Sequence, residues 1–243
     1  MTLIDGILLG IVQGLTEFLP ISSSGHLVIV QALIGIEKPG NEFAIIVHLG
    51  TLGSILIVFF KDIVDISTSI NQKKTQKLLI FLFLGTLPAI IIGLGLKNQI
   101  ESLFDNLTMV GAALVVSGII LLMSYFLSTS DRKYTIYKVL LIGMAQAFAI
   151  IPGISRSGMT ICCGLMLGLR PEIAARFSFL LAIPVISGAG ILTFMELDRT
   201  SHIDFSVAMA GLVTSFIVGL LSLRWLINLL KKGRLYSFGI YCL

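Results

Sequence analysis

Charge is what this chain has least of. Asp, Glu, Lys and Arg make up 12% of its 243 residues, against about a quarter in a soluble domain, and its mean hydropathy is +1.01. Those values exclude a water-soluble globular protein. The net charge of +4 does not signal nucleic-acid binding either, because the basic residues cluster in short stretches between apolar runs. Cysteine is scarce too. Cys162, Cys163 and Cys242 show no metal-ligand spacing, so a dedicated zinc site is not expected and packing is their expected role. No Lys or Arg precedes the first apolar run, as a secretory signal would require, so Met1 onward is read as part of the mature fold.

What the chain has in abundance is apolar length. A spanning helix needs about 20 apolar residues, and continuous candidates fall at roughly 42–60, 78–96, 107–127, 172–195 and 205–230. A last apolar stretch, 235–243, is too short to cross by itself. The stretches 3–35 and 139–168 are long enough for two half-helices each, but a Pro followed by Ser and Gly interrupts both. They are expected to be re-entrant hairpins.

The loop charges orient these segments. Lys61, Lys73, Lys74 and Lys77 crowd one loop, Arg132, Lys133 and Lys138 another, and Lys231, Lys232 and Arg234 a third. Placing all three in the cytoplasm makes the first hairpin enter from outside and the second from inside. The expectation is an all-α polytopic membrane protein, a single membrane domain over 1–243. It has six spanning helices and two re-entrant helical hairpins, arranged as inverted repeats of approximately 1–127 and 135–243.

The two interrupted stretches resemble each other. Gly10 aligns with Gly143, Gln13 with Gln146, Ser22 with Ser155, Ser24 with Ser157 and Gly25 with Gly158, with the prolines Pro20 and Pro152 offset by one. Paired broken segments in the two halves of a membrane protein point to a buried site at the repeat interface. Ser22, Ser23, Ser24 and Gly25 precede an apolar run, so hydroxyls and free N–H groups stand at a helix N-terminus suited to an anion. Gln13 and Glu17 are four apart on one face, and Ser23 and His26 three apart on the next. A carboxylate, a hydroxyl and an imidazole are the parts of an activated nucleophile. In the second break Arg156 lies between Ser155 and Ser157 and before Gly158. A guanidinium in an apolar segment needs an anionic partner, either Glu17 or a phosphate. The bland readings are a structural Glu17–Arg156 ion pair and serines that serve only to satisfy broken backbone. His48, inside a span, is expected to be a packing residue. His202 is expected in a solvated loop, and Glu42 and Arg176 near membrane interfaces.

Gln13-Gly-Leu-Thr-Glu17-Phe-Leu-Pro-Ile-Ser-Ser23-Ser-Gly-His26 and Pro152-Gly-Ile-Ser-Arg156-Ser-Gly resemble the two signatures of the undecaprenyl-diphosphate phosphatases of the bacitracin-resistance type. The likeness extends through His48-Leu-Gly-Thr-Leu and Ala175 to Pro184. It implies an integral enzyme of the cell membrane that hydrolyses a polyprenyl diphosphate to the monophosphate and inorganic phosphate. Such an enzyme recycles the lipid carrier for peptidoglycan and other surface polymers. It also places functional roles on Glu17, Ser23, His26 and Arg156. Many members carry an acid where this chain has Gln13, so Glu17 is left as the one carboxylate here that a divalent cation accompanying the diphosphate, Mg²⁺ or Ca²⁺, would meet. No organic cofactor is expected.

In the expected mechanism Arg156 clamps the diphosphate, and Gln13, Ser22, Ser24, Gly25, Ser155, Ser157 and Gly158 line the phosphate site. Ser23 attacks or positions water, and Glu17 or His26 takes the proton. The site is expected to open toward the extracytoplasmic side. The alternative is a transporter or flippase of a lipid-linked phosphate, which needs the Arg156 clamp but not a nucleophile beside a base.

Overall fold

The computed structural model describes residues 1–36, 41–127, 133–196, 203–230 and 235–243, and the described residues form helices and no strands. Two half-helix pairs stand where the sequence is interrupted. In the first half α1 (Leu3–Thr16) leads through the break to α2 (Ser23–Leu33), and in the second α8 (Ile136–Phe148) leads to α9 (Arg156–Met166). Between them lie α3 (Asn41–Val58), α4 (Phe60–Thr68), α5 (Lys73–Gly95), α6 (Lys97–Leu103) and α7 (Leu107–Met123). After them come α10 (Pro171–Glu196), α11 (Phe205–Leu230) and α12 (Tyr236–Cys242).

Among the described residues four helices are long and apolar enough to cross a membrane: 73–95, 107–126, 171–192 and 205–230. A fifth is obtained if α3 and α4, bent by 68° at Phe59, count as one span. This is a multi-pass membrane protein, and its outward faces are correspondingly apolar, as at Phe83, Ile91 and Leu221. The structure adds two elements to the sequence reading. The bend at Phe59 releases α4, whose Lys61, Asp62 and Asp65 do not belong in an apolar core. The polar 97–106 connection holds the short α6.

Packing crosses between the halves. The first broken segment lies along α11 and the second along α5. Small residues permit both approaches. A Cβ on Gly10 would fall 2.8 Å from the Gly211 carbonyl oxygen, and one on Gly143 would fall 2.6 Å from that of Gly85. Behind the breaks lies the main core, where Phe18 meets Phe179 edge-on with ring centres 6.0 Å apart. Cys162 is buried in that core as a free thiol. Arg176, on α10, pairs with Asp62 of α4, and its side chain is more than half exposed. The side chain of Glu42, and all of His202, lie outside the described residues.

Candidate functional site

Each break starts its second half-helix with the same serine cap. Ser22 caps α2, its hydroxyl oxygen accepting the Gly25 N–H at 3.3 Å, and Ser155 caps α9 by accepting the Gly158 N–H at 3.1 Å. The next hydroxyl stands alongside in both, Ser22 to Ser24 and Ser155 to Ser157, each at 3.2 Å. A serine cap satisfies one of the donors that a helix start leaves bare. The reversal itself needs left-handed backbone, supplied by Ser22 at φ 69° in the first break and Gly153 at φ 96° in the second.

The breaks then interlock. A Cβ on Gly25 would meet the Cα of Gly153 at 3.0 Å, and a Cβ on Gly158 would meet that of Pro20 at 3.2 Å. The Ser157 hydroxyl donates to the Leu19 carbonyl at 3.4 Å. On the far side Ser117 of α7 ties the second break down, taking the Ser155 N–H and donating to the Gly153 carbonyl, both at 3.1 Å.

This contact brings Glu17 and Arg156 together. Arg156 Nη2 donates to Glu17 Oε1 at 2.7 Å, and both side chains are largely buried, 14% and 5% exposed. The Ser23 hydroxyl donates to Glu17 Oε2 at 2.6 Å, and Gln13 Nε2 donates to the same oxygen at 3.0 Å. Arg156 Nη1 and the Oε1 atoms of Gln13 and Gln146 are buried without a hydrogen-bond partner among the described residues. A buried guanidinium N–H left open is a donor awaiting an acceptor. Glu17, Ser23 and Arg156 border a cavity of about 440 Å³, whose other walls include Ser22, Ser24, Gln146, Ser155 and the apolar Leu27, Ile45, Ile150, Val185 and Ile186. Gln13, Gly25, Ser157 and Gly158 stand behind this lining.

Two histidines are placed differently from the sequence reading. His26 turns away from Glu17: its Nδ1 lies 2.8 Å from the Ser22 carbonyl, and its Nε2 lies 3.1 Å from the Tyr241 hydroxyl, with the two rings stacked. It is not part of the cavity wall. His48, expected to pack, lines the cavity instead and brings Nε2 to 3.6 Å from Glu17 Oε2. Periodicity had no means of finding it, since a lone imidazole in a span declares its partner only when α3 is docked.

The residues present do not make a protein-held metal centre. Glu17 Oε2 already accepts two hydrogen bonds, and Oε1 receives the guanidinium. Among the described residues no three His, Cys, Asp or Glu side chains gather. A cation here would be held by the oxygens of a diphosphate rather than by the chain.

An acid, a hydroxyl and a clamp for an anion beside apolar walls suit a lipid with a phosphorylated head, and the comparisons agree. Over its whole length the chain is 42% identical to the undecaprenyl-diphosphatase of Desulforapulum autotrophicum, covering 95% of that protein. With 98% of its length it is 42% identical to the undecaprenyl-diphosphatase of Desulfosudis oleivorans, covering 94% of it. It is 38% identical over its whole length to the one from Methanosphaera stadtmanae, covering 95% of it. Residues 6–243 match the family model described as bacitracin resistance protein BacA, and the chain belongs to that family.

Proposed function

We propose that this protein hydrolyses undecaprenyl diphosphate, or a polyprenyl diphosphate of the same kind, to the monophosphate and inorganic phosphate. In the cell membrane that reaction returns the lipid carrier to peptidoglycan and surface-polymer synthesis, and the family's description associates it with bacitracin resistance. The observation that carries the reading is Arg156, held by Glu17 through one nitrogen and open at the other, beside the Ser23 hydroxyl.

In this reading Arg156 receives the diphosphate and stabilises the charge that develops on the transferring phosphoryl group. The first turn of α2, from Ser22 to Gly25, and the matching Ser155 to Gly158 turn of α9 add polar groups around it. Ser23 attacks phosphorus or orients the attacking water, and Glu17 accepts the proton. His26, bound to the Ser22 carbonyl, holds the turn that presents Ser23. A Mg²⁺ or Ca²⁺ ion accompanying the diphosphate would be held by the phosphate oxygens and would supply charge neutralisation there. The prenyl chain leaves between the apolar walls. Six spans in two inverted halves, with the cavity facing the extracytoplasmic side of the plasma membrane, complete the proposal. The crossed packing of α1 on α11 and α8 on α5 supports it.

The test is phosphate release by the purified protein in detergent from a long-chain prenyl diphosphate, with and without Mg²⁺ or Ca²⁺. Release by the wild type supports the reading. No release from folded protein under any of these conditions contradicts it and leaves lipid translocation as the activity to assay.

A further inference from the structure

Two imidazoles flank the first break, and the one that reaches the acid comes from a separate helix. His48 Nδ1 lies 2.6 Å from the Ala44 carbonyl oxygen. A carbonyl only accepts, so Nδ1 carries the hydrogen, and in the neutral ring Nε2 presents a bare lone pair. That lone pair stands 3.6 Å from Glu17 Oε2, the same oxygen that takes the Ser23 hydroxyl. Two lone pairs facing each other repel, and a proton between them turns the repulsion into a hydrogen bond. The tautomer fixed by Ala44 therefore prepares Nε2 to receive a proton from Glu17.

We infer that His48 is the proton-relay partner of Glu17, taking from the carboxyl the proton that the attacking hydroxyl gives up. His48 plays this part only if the chain hydrolyses prenyl diphosphates, as proposed above. The O–H bond of the nucleophile, Ser23 or a water it orients, breaks as the oxygen's electron pair attacks phosphorus, and an O–H bond forms on Glu17 Oε2. That bond breaks in turn as an N–H bond forms on His48 Nε2, leaving an imidazolium. The bridging P–O bond breaks with its electron pair on the departing prenyl monophosphate, which takes the proton back. Where Ser23 is the nucleophile, water then attacks the phosphoserine. Its proton passes along the same groups and returns to the Ser23 oxygen as that P–O bond breaks and inorganic phosphate leaves.

The relay answers an electrostatic need. If Glu17 kept the proton it would be neutral, and buried Arg156 would lose its counter-charge when phosphate departs. Handing the proton to His48, which is more exposed at 31%, restores the carboxylate. The surroundings leave His48 free for this exchange. Among the described residues, the other acidic or basic side chains lining the cavity, besides Glu17, are Arg156 and Glu101. The wall from α10, at Val185, Ile186, Ala189 and Gly190, is uncharged. Along α11 the titratable side chain, Arg224, is exposed, and Lys61, Asp62 and Asp65 of α4 lie several helical turns beyond His48.

The experiment measures phosphate release from a long-chain prenyl diphosphate by wild type, His48→Ala and His48→Gln, with imidazole or the nonbasic isostere pyrazole added. Both variants should lose about 10²-fold in kcat, the scale of a lost proton-transfer partner, with KM changed less than about threefold. His48→Gln retains an amide able to donate to Ala44, so its loss reports the missing base rather than the missing anchor. Imidazole should return His48→Ala to within about tenfold of wild type, and pyrazole should not. Wild-type kcat in both variants, or equal rescue by imidazole and pyrazole, overturns the relay while leaving the phosphatase intact. Absence of wild-type release overturns the phosphatase reading itself, and the relay with it.

Discussion

The two breaks share a serine cap and differ in the backbone that reverses them and in the side chains they carry. Both place a capping serine, a second hydroxyl and a glycine at the start of a half-helix, with cap distances of 3.3 and 3.1 Å. The first adds Glu17 and Ser23, and the second adds Arg156. A device that satisfies a broken helix has thus been used twice, while the chemistry has been divided. The carboxylate and hydroxyl stand in one half and the cation in the other, so neither half holds a complete site. The surroundings differ as well: the second break is tied to α7 through Ser117, while both breaks border the cavity. On the function proposed, one half would anchor the phosphate clamp and the other present the reacting groups.

The largest expected effect comes from removing what the second break contributes. Arg156→Ala should lower phosphate release by about 10³–10⁵-fold, the scale of a lost phosphoryl-stabilising arginine. It should also cost stability, because Glu17 is left as an uncompensated buried charge; thermal unfolding in detergent checks that part. Ser23→Ala removes the hydroxyl of the first break and should cost about 10²–10⁴-fold in kcat. Near-normal turnover would remove Ser23 from the chemistry.

The contrast in backbone is tested by stability. Gly153→Ala puts a side chain at φ 96° with its Cβ 2.7 Å from that of Ala113. Strain and overpacking should each cost about 1–3 kcal/mol. Gly111→Ala, where nothing lies within 4 Å, should leave the melting temperature almost unchanged. The caps come next. Ser155→Ala should cost about 1 kcal/mol of stability. Ser22→Ala should cost a similar amount and also slow turnover, since its turn presents Ser23. A small effect is also expected at the partly exposed ion pair of Arg176 with Asp62, where Arg176→Gln should shift stability by less than about 1 kcal/mol.

The breaks were legible in the sequence because they repeat. Gly10 with Gly143 and Ser22 with Ser155 gave their alignment, and the cost of a lone guanidinium at Arg156 pointed to an anionic partner, Glu17 or a phosphate, of which the structure shows Glu17. The long spans were legible from apolar length, and α10 and α11 start and stop within a residue of expectation. The bend at Phe59 was not, because no Pro or Gly marks it. The roles of the two histidines were also hidden. Three-residue spacing joined His26 to Ser23 on α2, but His26 engages Tyr241 from the far end of the chain, and docking of α3 brings His48 to the acid. Periodicity orders residues along one helix; it does not say which helix will lie beside it.

The division of the site between the two halves is tested most directly by a double-mutant cycle on kcat for phosphate release, using Glu17→Gln, Arg156→Gln and the pair together. If the two residues act as one unit, each single change should be severe and the double variant no worse than the poorer single. Losses that simply multiply would mean that Glu17 and Arg156 work independently, and would contradict a site assembled from both breaks.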